Sequence, residues 1–219
     1  MRFAPAAKDP IPLSYFAMRK VVGFVALLLP LAVALPWYFL RDHILEPSIS
    51  CYYYTGTRNI FVGSLCAVAM FMLGCRGYDI EDEIAGIFSG ICALGVAFFP
   101  TASDPCKAES KLNVGTIHWT FAALLFLTLA YFCFCLFTMS AEGTTVTPRK
   151  IWRNRVYYAC GAAIVISMIM IVVLNHFQVT YLPGGLGSEF FFETTALFAF
   201  GFAWLVKGGF ILKDQNPRR

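Results

Sequence analysis

Three histidines, two glutamates four residues apart and one arginine at the head of an apolar run are the residues here whose types can do chemistry. His43, His118 and His176 each lie at the end of an apolar stretch, with Asp42, Glu46, Arg58, Asn59, Asn175, Glu189 and Glu193 near them in sequence. Ionisable groups inside an apolar span are costly and tend to mark function. Glu189 and Glu193 share one face if their stretch is helical. Three arrangements are open. In the first, Arg58, Glu193 and His118 satisfy one another as a structural polar cluster. In the second, His43, His118 and His176 hold zinc, with Glu193 as the base that activates a bound water; no local HxxxH spacing supplies two of those ligands. In the third, Arg58 meets a lipid phosphate through its fork of donors, with Tyr52, Tyr53 and Tyr54 flanking the headgroup and Glu189 beside Glu193.

Two further features have a chemistry of their own. Six of the eight cysteines lie in or beside apolar runs, where cysteine behaves as a small hydrophobe. Cys51 and Cys106 lie in the first two loops expected to face outside, an oxidising side in most cells, and a disulfide between them is expected. Asp79, Glu81, Asp82 and Glu83 form an acidic stretch, read as a solvated loop that also complements the dipole of the helix it opens.

The elements that must position these residues are membrane helices. Hydrophobic residues make up 58% of the 219 and charged residues 14%, with a mean hydropathy of +0.67. Soluble domains are about 45–50% apolar and about 25% charged. Soluble enzymes, nucleic-acid binders and disordered chains are therefore excluded as classes. Six stretches are long and apolar enough to span a bilayer: about 21–40, 58–75, 84–100, 116–138, 156–175 and 189–207. They leave no room for a separate soluble domain, so residues 1–219 read as one all-α six-helix membrane domain. Thirteen Lys and Arg fall on the side of the termini and only Arg41, Arg58, Lys107 and Lys111 on the other. The positive-inside rule then puts both termini in the cytoplasm. Trp37, Tyr38, Trp119, Tyr181 and the Tyr52–Tyr54 run form an outer aromatic belt, and Trp152, Tyr157 and Tyr158 an inner one.

Local features refine this plan. Pro30 and Pro36 predict a kink in the first span. Gly86 and Gly90 in the third give the small-xxx-small spacing of close helix packing. Arg149, Lys150, Arg153 and Arg155 after Pro148 act as a topology determinant or meet anionic headgroups of the inner leaflet. The stretch Thr180–Phe190 is glycine-rich and serves as a lid or a plain turn, with Ser188 as a candidate helix cap.

Four stretches carry a family resemblance: Pro47-Ser48-Ile49-Ser50 before an aromatic-polar segment, the glycine-rich third span running through Gly95 to Pro100, His118 at the head of the fourth span, and Glu193 followed by Ala199-Phe200-Gly201-Phe202. Together they resemble six-helix membrane proteins of the DRAM/Sfk (Frag-like) type and the similar bacterial membrane family of unknown function number 998. The resemblance implies six helices, polar residues on the non-cytoplasmic side and a role in lipid handling. A remoter similarity is to the intramembrane hydrolases that include alkaline ceramidases. Those have seven helices and a zinc held by three histidines, and this chain lacks their HxxxH motif and seventh helix. It also carries Arg58 where the DRAM type is expected to have an acidic residue.

The functional expectation is a multi-pass protein of a plasma (inner) membrane, read as bacterial, with a polar pocket open to the outer face that binds or handles lipid. No cofactor and no nucleic acid are expected; membrane lipid is the partner. The alternatives are a zinc-dependent intramembrane hydrolase and a small channel or transporter.

Overall fold

The structure is a computed structural model, and it describes residues 3–4, 13–41, 43–74, 80–101, 114–141 and 147–212. It is all-helical apart from a two-residue parallel pair, β1 (Phe3–Ala4) with β2 (Ser140–Ala141). The six helices are α1 Leu13–Leu40, α2 Arg58–Gly74, α3 Ile80–Phe98, α4 Val114–Tyr131, α5 Pro148–His176 and α6 Ser188–Lys207. Each packs on the next in sequence order, and α6 closes the ring against α1.

Four of them, α1, α4 with its π-helical end, α5 and α6, are long and apolar enough to cross a membrane. Of the other two expected spans, α2 is a shorter apolar helix of 17 residues. The remaining one, α3, opens on Glu81, Asp82 and Glu83. The surface agrees with a lipid surround. Leu28, Leu31 and Leu35 on α1, and Ile84, Ile87 and Ile91 on α3, form exposed apolar stripes at helical spacing. The inward face of α3 carries small residues, among them Ser89, Ala93 and Ala97. A soluble bundle would carry polar residues on those outward stripes.

Helix bounds depart from the sequence spans for physical reasons. Helix α1 runs unbroken through Pro30 and Pro36 and starts at Leu13, well before residue 21. The charges at Arg19 and Lys20 look like a span boundary, but Arg19 is 1% exposed and lies 3.5 Å from Asp82 of α3. Asp82 is thus a buried ion-pair partner, while Glu81 and Glu83 keep the exposed places in the first turn of α3. Asp79 lies outside the described residues. Helix α5 starts at Pro148, with the Thr147 side chain accepting the Lys150 N–H at 3.2 Å. The basic stretch is therefore its first two turns. Helix α4 ends in a π turn, Phe132–Leu136, closed by Phe137 N–H to the Phe132 carbonyl at 2.8 Å. The π turn leads to the Phe137 carbonyl, which accepts from Lys150 Nζ at 3.3 Å and Lys207 Nζ at 3.1 Å. Tyr157 is buried against Phe137 in the core rather than placed in an inner aromatic belt.

Close approach between helices rests on glycine. A Cβ on Gly90 would lie 2.8 Å from Leu73 of α2. A Cβ on Gly201 of α6 would lie 2.7 Å from the Gly23 carbonyl of α1. Gly201 thus meets the α1 backbone directly, while Gly90 meets the Leu73 side chain and, at 3.1 Å, the Ala69 carbonyl, the close approach expected of Gly90.

Candidate functional site

One end of the ring gathers the C-terminal ends of α1, α3 and α5 with the N-terminal ends of α2, α4 and α6. The contacts themselves establish this alternation. His118 on α4 reaches the Phe99 carbonyl just past α3, Asn175 on α5 reaches Glu189 on α6, and Glu193 on α6 reaches the segment between α1 and α2. Arg19, Asp82, Lys150 and Lys207 meet at the opposite end.

The segment from Leu45 to Thr57 lies across the first end as a strap, including a 3-10 turn at Ser50–Tyr54. Glu193 holds it. Its Oε2 accepts from the Ile49 N–H at 2.6 Å and from the Ser48 hydroxyl at 2.9 Å, and its Oε1 lies 3.4 Å from the Ser50 hydroxyl. The Pro47 carbonyl accepts the Phe190 N–H at 2.9 Å. Gly187 packs so closely on the Pro47 backbone that a Cβ there has no room. Ser50 also meets His118, with Oγ and Nε2 3.0 Å apart, and the other ring nitrogen is 2.6 Å from the Phe99 carbonyl oxygen. Glu193 and His118 thus share one network, joined through Ser50.

The tyrosine run divides three ways. Tyr52 is buried, and its Oη accepts the Glu46 N–H at 3.3 Å. Burial pushes its phenol up to about 12, with the Glu46 N–H pulling the other way. Tyr54 donates to the Thr101 carbonyl at 2.6 Å, and burial raises its phenol too. Tyr53 belongs to Arg58. The guanidinium sits 4.2 Å from the ring centroid and donates to the Tyr53 oxygen at 2.5 Å. Among the described residues Arg58 makes no ion pair, so the Arg58–Glu193 contact of the first arrangement is not formed; Glu193 is met by serines and a backbone N–H instead. Glu189, 9% exposed, accepts from Asn175 at 2.7 Å.

The three histidines occupy three separate places. His43 is exposed, in the left-handed region at φ 63°, with its ring against Tyr38. His176 is exposed at the end of α5 against Phe177. Only His118 enters the network. Among the described residues no group of three His, Cys, Asp or Glu side chains is placed to hold a metal.

Cys51 is disulfide-bonded, while Cys66, Cys92, Cys133, Cys135 and Cys160 are free. Cys106, its partner in the sequence reading, lies outside the described residues. Ser188 is not the cap of α6. That place is Gly187's, and the Ser188 hydroxyl donates to the Val179 carbonyl at 2.6 Å. The glycine-rich stretch is a tight turn, with Leu182 N–H bonded to the Leu186 carbonyl and Tyr181 bridged to Gly187.

Sequence reasoning did not assign roles to Ser48, Ser50 or the Phe99 carbonyl. The signal available was the Pro47–Ser50 stretch itself, where two hydroxyls two residues apart precede an aromatic run.

Fold and surface together define the class: a helical membrane protein with a strapped polar network at one end. Comparison of the chain with protein-family models, curated proteins and solved structures finds no match.

Proposed function

We propose that the protein is a six-span membrane protein with cytoplasmic termini, set in a plasma membrane, that binds an anionic lipid at its outer face. The observation that carries the proposal is the Arg58–Tyr53 pair. Arg58 stands exposed at the head of α2, braced by a ring and a hydroxyl and by no carboxylate among the described residues. A guanidinium held in that way keeps most of its five donors for a ligand, and its planar fork matches a phosphate. Its depth suits a headgroup, because Arg58 opens an apolar helix whose flank would face lipid tails. The strap beside it is fixed by Glu193, so the site is preorganised and loses little freedom on binding. The Lys and Arg distribution supports the orientation, since Arg58 would face outward under the positive-inside rule.

The test is lipid extraction from the detergent-purified chain followed by mass spectrometry. A phospholipid retained by the native chain and lost from Arg58→Ala is expected. Equal retention by both would overturn the assignment to Arg58.

A further inference from the structure

Ser50 has a geometry that lipid binding does not use. Its hydroxyl lies 3.0 Å from Nε2 of His118, and Nδ1 of the same ring lies 2.6 Å from the Phe99 carbonyl oxygen. A carbonyl oxygen only accepts, so Nδ1 carries the proton, and Nε2 of the neutral ring presents a lone pair. Ser50 is then the donor in the Ser50–His118 contact, its single proton going to Nε2 at 3.0 Å in preference to Glu193 Oε1 at 3.4 Å. A hydroxyl donating to a base whose far side is oriented by a third group is the signature of an activated nucleophile. Both distances fall within the roughly 2.6–3.2 Å reach that such proton transfer requires.

The surroundings fix the hydroxyl from both sides. Glu193 grips Ile49 and Ser48, the two residues before Ser50, and the Ser50 N–H donates to Ser48 Oγ at 3.0 Å. Cys51, the residue after it, is disulfide-bonded. Ser50 itself is only half-buried, whereas His118 behind it is 3% exposed. A half-buried serine in front of a buried histidine faces a substrate in the right order.

We infer that Ser50 is a nucleophile and His118 its general base, acting on the carboxylic ester of an outer-leaflet lipid; the choice of a lipid ester rests on the lipid-binding reading above. Ser50 Oγ bonds to the ester carbonyl carbon while its proton passes to His118 Nε2. The bond from that carbon to the alcohol oxygen breaks, and His118 returns the proton to the leaving oxygen. The products are an acyl-Ser50 and a lipid alcohol. Water then adds to the acyl carbon, giving its proton to Nε2, and a fatty acid leaves as Ser50 takes the proton back. Glu193 is a positioning residue that sets where the hydroxyl lies.

The test uses the full chain in detergent and a small fluorophosphonate probe, with the labelled peptide mapped by mass spectrometry. Phosphonylated Ser50 is expected in the native chain, with labelling about a hundredfold slower in His118→Gln. Native protein that elutes as one folded species and leaves Ser50 unlabelled would overturn the inference, and so would undiminished labelling in a folded His118→Gln. The native chain alone can decide the matter, so the result does not depend on a variant folding. The probe has no headgroup, so its reaction is independent of the Arg58 site. Lipid retention measured on the same preparation reports on that site separately.

Discussion

The Ile49 N–H donates to the Glu193 carboxylate at 2.6 Å although 144 residues separate them. This contact ties the segment between α1 and α2 to the last helix, and the Ser48 hydroxyl doubles it at 2.9 Å. Truncation in Glu193→Ala leaves both donors without their acceptor. A buried donor stripped of its partner costs about 1–3 kcal/mol. The expected outcome is a loss on the order of 3 kcal/mol, read as a lowered thermal midpoint in detergent. Glu193→Gln retains one acceptor oxygen and is expected to fall between Glu193→Ala and the native chain.

At the other end, Asp82→Ala removes the carboxylate 3.5 Å from Arg19, a side chain buried to 1% exposure. Breaking a buried pair from one side costs roughly 3–5 kcal/mol, whereas replacing both partners by apolar residues costs far less. Asp82→Ala is expected to lower stability by about 3 kcal/mol, and Arg19→Met with Asp82→Leu to recover most of it. Thermal unfolding of the single and double variants checks the difference.

This pair also marks where the sequence stops being legible. Apolar run length finds the six helices, four of which are long and apolar enough to cross a membrane. It cannot distinguish a charge at a span boundary from one inside, and so Arg19 and Asp82 look like solvated ends. The polar network shows the same division. Glu193 and His118 stand out in sequence because charged and titratable groups are rare in apolar helices. Their joining residue, Ser50, is an ordinary serine, and His118's other partner is a backbone carbonyl with no residue-type signal. Arg58 was legible as a cation at the head of α2, but its partner Tyr53 depends on a 3-10 turn that periodicity does not reveal.

The α1–α6 contact should be intolerant of side-chain volume. A Cβ on Gly201 would lie 2.7 Å from the Gly23 carbonyl, whereas one on Gly63 meets nothing within 4 Å. Gly201→Val is expected to destabilise by about 2 kcal/mol through forced overpacking. Gly63→Ala is expected to be neutral or to stabilise by up to about 1 kcal/mol, as alanine is the better helix former. The two midpoints measured side by side separate close packing from a general intolerance of glycine replacement.

The disulfide at Cys51 is expected to end at Cys106. Five of the described cysteines are free, and the remaining two, Cys75 and Cys106, lie outside the described residues. In sequence the whole of α2 lies between Cys51 and Cys75, and its 17 helical residues span about 25 Å. A disulfide needs Cα atoms within about 7 Å. Peptide mapping without reduction should recover the Cys51 peptide joined to that of Cys106. A Cys51–Cys75 link would contradict both the pairing and the intrachain path of α2.

Lipid binding at Arg58 is the central claim, and native mass spectrometry of the purified chain titrated with phosphatidylglycerol tests it most directly. A charge-assisted hydrogen bond contributes about 1.5–3 kcal/mol, so binding by Arg58→Ala should be at least about tenfold weaker than by the native chain. Arg58→Lys, which keeps the charge but loses the fork over Tyr53, should fall between them. Equal affinity in all three would contradict the account and leave Arg58 as no more than a residue that anchors α2 at the interface.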